Sequence, residues 1–135
     1  MKVFLGVFFA ALIAVACKKE STGAKMKNSA NNSLFARWEL RVLRGGLQPD
    51  RNFAPGNGNM LQFNADSTYA FYQNNNITSQ GTFHIVPNAF VQGPEPPDLI
   101  YYDHNTSGEV LFLKNDTLTI GSSAADGPSY VYVKK

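Results

Sequence analysis

The side chains best suited to chemistry are few and scattered along the chain. Cys17 is the only cysteine, and His84 and His104 are the only histidines. His104 directly follows Asp103, with Glu109 a short distance on. A metal site needs roughly three or four ligands whose spacing is set by one or two elements, and two distant histidines with scattered carboxylates do not supply that. No metal or other cofactor is therefore expected. No serine stands on a Gly-x-Ser-x-Gly elbow and no glycine-rich phosphate loop is present, so acyl and phosphoryl transfer lack a recognisable nucleophile or cradle. Asp103 and Glu109 are a carboxylate pair that hydrolytic work could use, but nothing in their spacing brings them together. The pattern points to a protein that is not an enzyme.

The reactive group with a defined setting is Cys17. Before it stand Lys2, an apolar run from Val3 to Val15, and Ala16, which is the layout of a secretory signal. A helix of about 13 residues at about 1.5 Å each spans roughly 20 Å, short of the ~30 Å hydrocarbon core that a permanent spanning helix crosses. The stretch Leu12-Ile13-Ala14-Val15-Ala16-Cys17 resembles the lipobox of bacterial lipoproteins, with Ala14 where a larger aliphatic residue is usual. That resemblance implies cleavage before Cys17 and acylation of its sulfur. A thiol with no partner cysteine in an oxidising compartment fits the same reading. Residues 1–16 are thus expected to be a signal peptide, and the protein's first partner to be a membrane held through lipid.

Removing 16 of the 135 residues leaves 119, enough for one domain with its own core. Loss of Lys2 takes the 12 basic residues to 11 against 10 acids, a balance that gives no reason to expect a nucleic-acid partner. Residues 17–33 carry the lipidated cysteine and a tether. From Lys18 to Ser33 the chain has almost no large apolar residue and cannot offset the cost of ordering. Lys18, Lys19, Lys25 and Lys27 against Glu20 would favour an anionic membrane surface beside the lipid.

Residues 34–135 show period-two alternation in short segments separated by Gly, Asn, Asp and Pro, which predicts an all-β domain. The expected strands are Phe35 to Leu43, Met60 to Asn64, Thr68 to Gln73, Ile77 to Val86, Leu99 to Asp103, Glu109 to Leu113, Thr117 to Gly121 and Ser129 to Lys134. Short turns such as Gln73-Asn74-Asn75-Asn76 and Lys114-Asn115-Asp116 make sequential antiparallel neighbours. An antiparallel up-and-down eight-stranded barrel follows most simply, because closure leaves no exposed edge. A β-sandwich is the alternative.

In order along this domain come Ala36-Arg37-Trp38-Glu39-Leu40, Leu61-Gln62-Phe63 running into Asp66-Ser67-Thr68-Tyr69, Gly81-Thr82-Phe83, Leu118-Thr119-Ile120 and Tyr130-Val131-Tyr132. The series resembles the small lipocalin-like lipoproteins of Bacteroidota, with Ala36 where full lipocalins carry glycine. The resemblance implies a lipocalin-like barrel, lipid-anchored in the bacterial cell envelope at the outer membrane. Asp66-Ser67-Thr68 and Asp116-Thr117-Leu118 are similar to the O-glycosylation sites of exported proteins in that group, which implies Ser67 and Thr117 as candidates. Both also read as ordinary turn formers.

An eight-stranded barrel is wide enough either to be filled by side chains or to hold one small ligand. Trp38, Phe63, Phe71, Phe83 and Phe112 are expected to point inward, and aromatic rings of this size would occupy much of the interior. In a meander alternate connections share an end, so Arg44 to Asn59, Asn74 to Asn76, His104 to Gly108 and Ser122 to Pro128 should form one rim. The first of these is long and carries Leu47 and Phe53, as a binding loop would. Candidate ligand-contacting residues are Trp38, Leu47, Phe53, Phe71, Phe83 and Phe112. The expected function is binding of a small apolar or amphipathic ligand, or of a partner, at the loop end. The alternative is a structural or accessory envelope protein with a filled core. Apolar residues on both faces of Val110 to Leu113 and Tyr130 to Val133 favour that alternative.

Overall fold

The computed structural model describes residues 34–45, 47–89, 96–122 and 126–135. The signal peptide, Cys17, the tether and its lysines, together with Phe90 and Val91 of the connection after residue 86, lie outside the described residues. The strands are β1 (Arg37–Arg44), β2 (Arg51–Asn52), β3 (Met60–Phe63), β4 (Thr68–Gln73), β5 (Asn76–Val86), β6 (Asp98–Tyr102), β7 (Glu109–Lys114), β8 (Thr117–Gly121) and β9 (Ser129–Lys134). From β3 to β9 each pairs antiparallel with the next, and β1 pairs with both β3 and β9. The β1–β9 ladder runs from Trp38 opposite Lys134 to Arg44 opposite Ser129, so the sheet closes on itself as an eight-stranded antiparallel barrel and not as a sandwich. This is the architecture expected of a lipocalin-like domain.

β2 is the element absent from the sequence-based expectation. It pairs with β1 at Val42 and Leu43, just above the stretch from Arg37 to Glu39 where β3 pairs. The first connection therefore continues the edge of β1 that β3 leaves open. Turn chemistry fixes the sharper connections. Asn74 and Asn75 take φ of 51° and 65°, the left-handed pair that a two-residue hairpin turn requires and that Asn tolerates. At the β3–β4 turn Asp66 Oδ1 accepts hydrogen bonds from the Thr68 amide (3.1 Å) and hydroxyl (2.6 Å).

One end of the barrel is packed shut. Trp38, Leu61, Phe63, Ile100 and Leu118 are wholly buried there, and Leu34 folds over them. The Trp38 indole N–H donates to the Leu34 carbonyl at 2.8 Å, which satisfies the ring's polar atom while the rest of it packs. Phe63 meets Phe83 edge-to-face with centroids 4.8 Å apart. The C-terminus returns to this end, where the Lys135 amide donates to the Arg37 carbonyl.

Of the five aromatic residues expected to point inward, Trp38, Phe63, Phe71 and Phe83 do so and Phe112 of β7 does not. Phe112, expected inside, lies opposite Thr119 on the outer surface and is 46% exposed, while Leu111 and Leu113 take the inner face. An unbroken apolar run carries no polar residue to mark which parity faces water, so sequence alone could not choose.

Candidate ligand-binding cavity

Opposite the packed end the barrel opens into a cavity of about 740 Å³, lined by residues from each of the nine strands and from the rim loops. Two β-bulges shape it. Between β1 and β9 the register shifts at Leu40 and Val42, which leaves Arg41 as the extra residue. Between β4 and β5, Phe71 faces Ser79 and Tyr72 faces Ile77, which leaves Thr78 extra. A bulge breaks strict alternation and increases bend, and so the consecutive residues Thr78 and Ser79 both reach the cavity. β5 pairs with β4 through Thr82 and with β6 from Phe83 onward, so the β4–β5 hairpin stands beyond β6 and forms one wall.

The opposite wall is the first connection, strapped to the barrel along its length. The Phe53 amide donates to the Arg41 carbonyl at 2.8 Å, and the Asn57 side-chain amide donates to the Leu40 and Ala54 carbonyls at 2.9 and 2.7 Å. The Gly56 amide donates to Glu39 Oε1 at 2.9 Å, and Glu39, only 4% exposed, also meets Arg41 at 3.2 Å and Lys135 at 3.6 Å. Gly58, at φ 76°, accepts through its carbonyl from the Asn75 amide at 2.9 Å, and a Cβ there would strike that same amide. Only glycine fits both the backbone angle and the approach. These ties hold Phe53 and Arg51 at the rim, with the Arg51 guanidinium 5.1 Å from the Phe53 ring centre.

The floor and sides are aromatic. Tyr102 lies 4.8 Å from Tyr69 and 5.5 Å from Phe71, and Tyr130 and Tyr132 lie side by side at 6.5 Å. The Tyr102 hydroxyl is buried with no hydrogen-bond partner among the described residues. Burial, then the nearby Glu109 charge, pushes that phenol far up; burial does the same for Tyr132, so both stay protonated at any physiological pH. Glu109 lines the cavity half-buried, and burial holds its carboxyl above the ordinary range.

Asp103 is engaged elsewhere. It accepts from the Thr82 amide at 2.8 Å and from the Tyr69 hydroxyl at 2.9 Å, and these bonds lower its pKa. Its carboxylate occupies the place where a Cβ on Gly81 would stand. His84 stacks on Tyr101 with centroids 4.8 Å apart. Among the described residues no group of three or more His, Cys, Asp and Glu side chains is placed to hold a metal ion.

Of the candidate contact residues, Phe53 and Phe71 line the cavity. Trp38 and Phe83 belong to the core beneath it, Leu47 is 90% exposed, and Phe112 is on the outer face. The cavity also gathers Leu40, Arg51, Tyr102, Glu109, Tyr130 and Tyr132, which sequence reasoning did not assign to it. Tyr130 and Tyr132 were open to discovery, since they alternate with valines in one strand. Ser67 and Thr117 are both exposed, at the start of β4 and on the first residue of β8, at the packed end. The arrangement offers rings, hydroxyls and one carboxylate for non-covalent contact. Neither the protein-family models nor the curated proteins nor the solved structures compared with this chain match it.

Proposed function

We propose that this protein is a lipid-anchored, lipocalin-like binding module of a bacterial cell envelope, which takes a small apolar or amphipathic ligand into the open end of its barrel and carries out no chemistry on it. The observation that supports the reading is the cavity itself. At about 740 Å³ it falls within the range of about 300–1,000 Å³ typical of small-molecule sites, and it combines aromatic walls with a few polar groups.

The lipobox-like run before Cys17 supports the anchor. The first described residue, Leu34, sits at the packed end, and the cavity opens at the other. An anchored molecule would then present its mouth away from the lipid. Attachment to the outer membrane belongs to the same proposal and rests on the resemblance to Bacteroidota lipoproteins. Native mass spectrometry of the protein recovered from its own host tests the function: a discrete small molecule that co-purifies is expected, and its absence from freshly isolated, undenatured protein would count against a resident ligand.

A second reading is favoured by the outer face. Phe112 on β7 and Val86 on β5, both more than two-fifths exposed, flank β6 on the β5–β7 surface, where Leu99 sits opposite both Val86 and Val110. Contact of this face with another envelope protein is compatible with ligand binding inside. Cross-linking from Phe112 in intact cells would show a specific adduct if that contact exists.

A further inference from the structure

The charged side chains lining the cavity, among the described residues, are Arg51 and Glu109, and their settings differ. Arg51 is exposed at the rim, over the face of Phe53, where its guanidinium remains hydrated. The Glu109 carboxylate is half-buried, and no side-chain hydrogen bond or ion pair joins it to any described residue. A carboxylate withdrawn from water without a partner carries an uncompensated cost, which a ligand of opposite charge relieves. The rings around it, Phe71, Tyr102, Tyr130 and Tyr132, present electron-rich faces that attract cations and repel anions. The unpartnered hydroxyl of Tyr102 supplies a further acceptor for an N–H.

We infer that the ligand is a small organic monocation, a protonated amine on an apolar body, whose charge is set against Glu109 and whose body lies against Phe71, Tyr102, Tyr130 and Tyr132. This rests on the ligand-binding reading above. It follows that Arg51 disfavours a second positive charge at the rim, so dications are poorer ligands than monocations of the same size. It also follows that a fatty anion is a poor fit. Its carboxylate would be held at the rim by Arg51, and its chain would lie against Glu109.

Octylammonium, octanol and octanoate share a chain and differ in charge, so calorimetric titration of each into the full chain carrying Cys17→Ser separates the possibilities. Octylammonium should bind at least about tenfold more tightly than octanol, a ratio within reach of one charge-assisted hydrogen bond. Glu109→Gln should remove that preference, and Arg51→Gln should not weaken octylammonium. In the unsubstituted cavity the side-chain carboxyl resonance of Glu109 should move on adding octylammonium and not on adding octanol, which needs no variant to fold. Equal binding of amine and alcohol, tighter binding of octanoate, or an amine preference that survives Glu109→Gln would overturn the inference while leaving a ligand-binding cavity intact. Failure of all three to bind would overturn the cavity reading as well.

Discussion

Two side chains at opposite ends of the barrel interior have opposite thermodynamic roles. Trp38 fills the packed end and makes its polar bond to Leu34, so nothing about it is compromised. Trp38→Ala should cost about 3–5 kcal/mol in urea unfolding, the range for truncating a buried aromatic residue. A loss under about 0.5 kcal/mol, typical of surface sites, would contradict its place in the core. Glu109 is the reverse case, since burial raises its carboxyl above the value of about 4.3 that an unfolded glutamate has. Between those two values the folded state holds more protons than the unfolded one, so stability falls as pH rises through the interval. Glu109→Gln should therefore stabilise the ligand-free protein near about pH 7, by less than about 1 kcal/mol because a half-exposed charge is screened. Below about pH 4, where the carboxyl is protonated in both states, the variant should match the parent. Unfolding curves at the two pH values check this, and a variant less stable at neutral pH would show that Glu109 has a partner. Binding sites commonly hold such locally unfavourable groups, at a cost met by the rest of the fold.

The elements that shape the cavity are those where local rules bend. The first connection works as a wall because Glu39 gathers Gly56, Arg41 and Lys135 on the outside of β1. Glu39→Ala leaves the Gly56 amide without its acceptor and should cost about 1–3 kcal/mol, the scale of a lost hydrogen bond to a buried charged group. Faster amide exchange at residues 53–59 than elsewhere should accompany it; uniform loosening of the barrel would mean that Glu39 supports the fold and not the loop. The eight barrel strands were legible in the sequence to within a residue or two, because most alternate and most are closed by Asn, Asp or Gly. β2 was not, since a two-residue pairing with β1 is made by distant backbone and has no pattern of its own. Nor were the faces of β7 or the position of Glu109, the first residue of that strand. Apolar parity there is undetermined, and a carboxylate close to His104 in sequence invites pairing with it and not with the barrel interior. The rim connections were legible from strand parity alone: Arg51, Phe53 and Asn74 come from loops that a meander brings together.

Taken whole, the barrel has no free edge, a shut end that receives both Leu34 and the C-terminus, and an open end with a cavity. If Cys17 carries lipid, Cys17→Ser should end incorporation of labelled fatty acid and release the protein from membranes, and unchanged labelling would rule the anchor out. The same polarity sets an orientation on liposomes. A spin label at Asn88, beyond β5 toward the shut end, should be quenched more by a lipid-soluble reagent than one at Leu47 in the first connection, and the opposite order would refute an outward-facing mouth. The central claim is that the open end is a binding cavity, and N-phenylnaphthylamine, a neutral apolar fluorophore, tests it most directly. Saturable binding at one site per molecule is predicted, and it should be lost when Ser79→Trp places an indole in the cavity without changing the circular dichroism of the barrel. Absence of saturable binding, or binding that Ser79→Trp leaves untouched in a folded protein, would contradict the account.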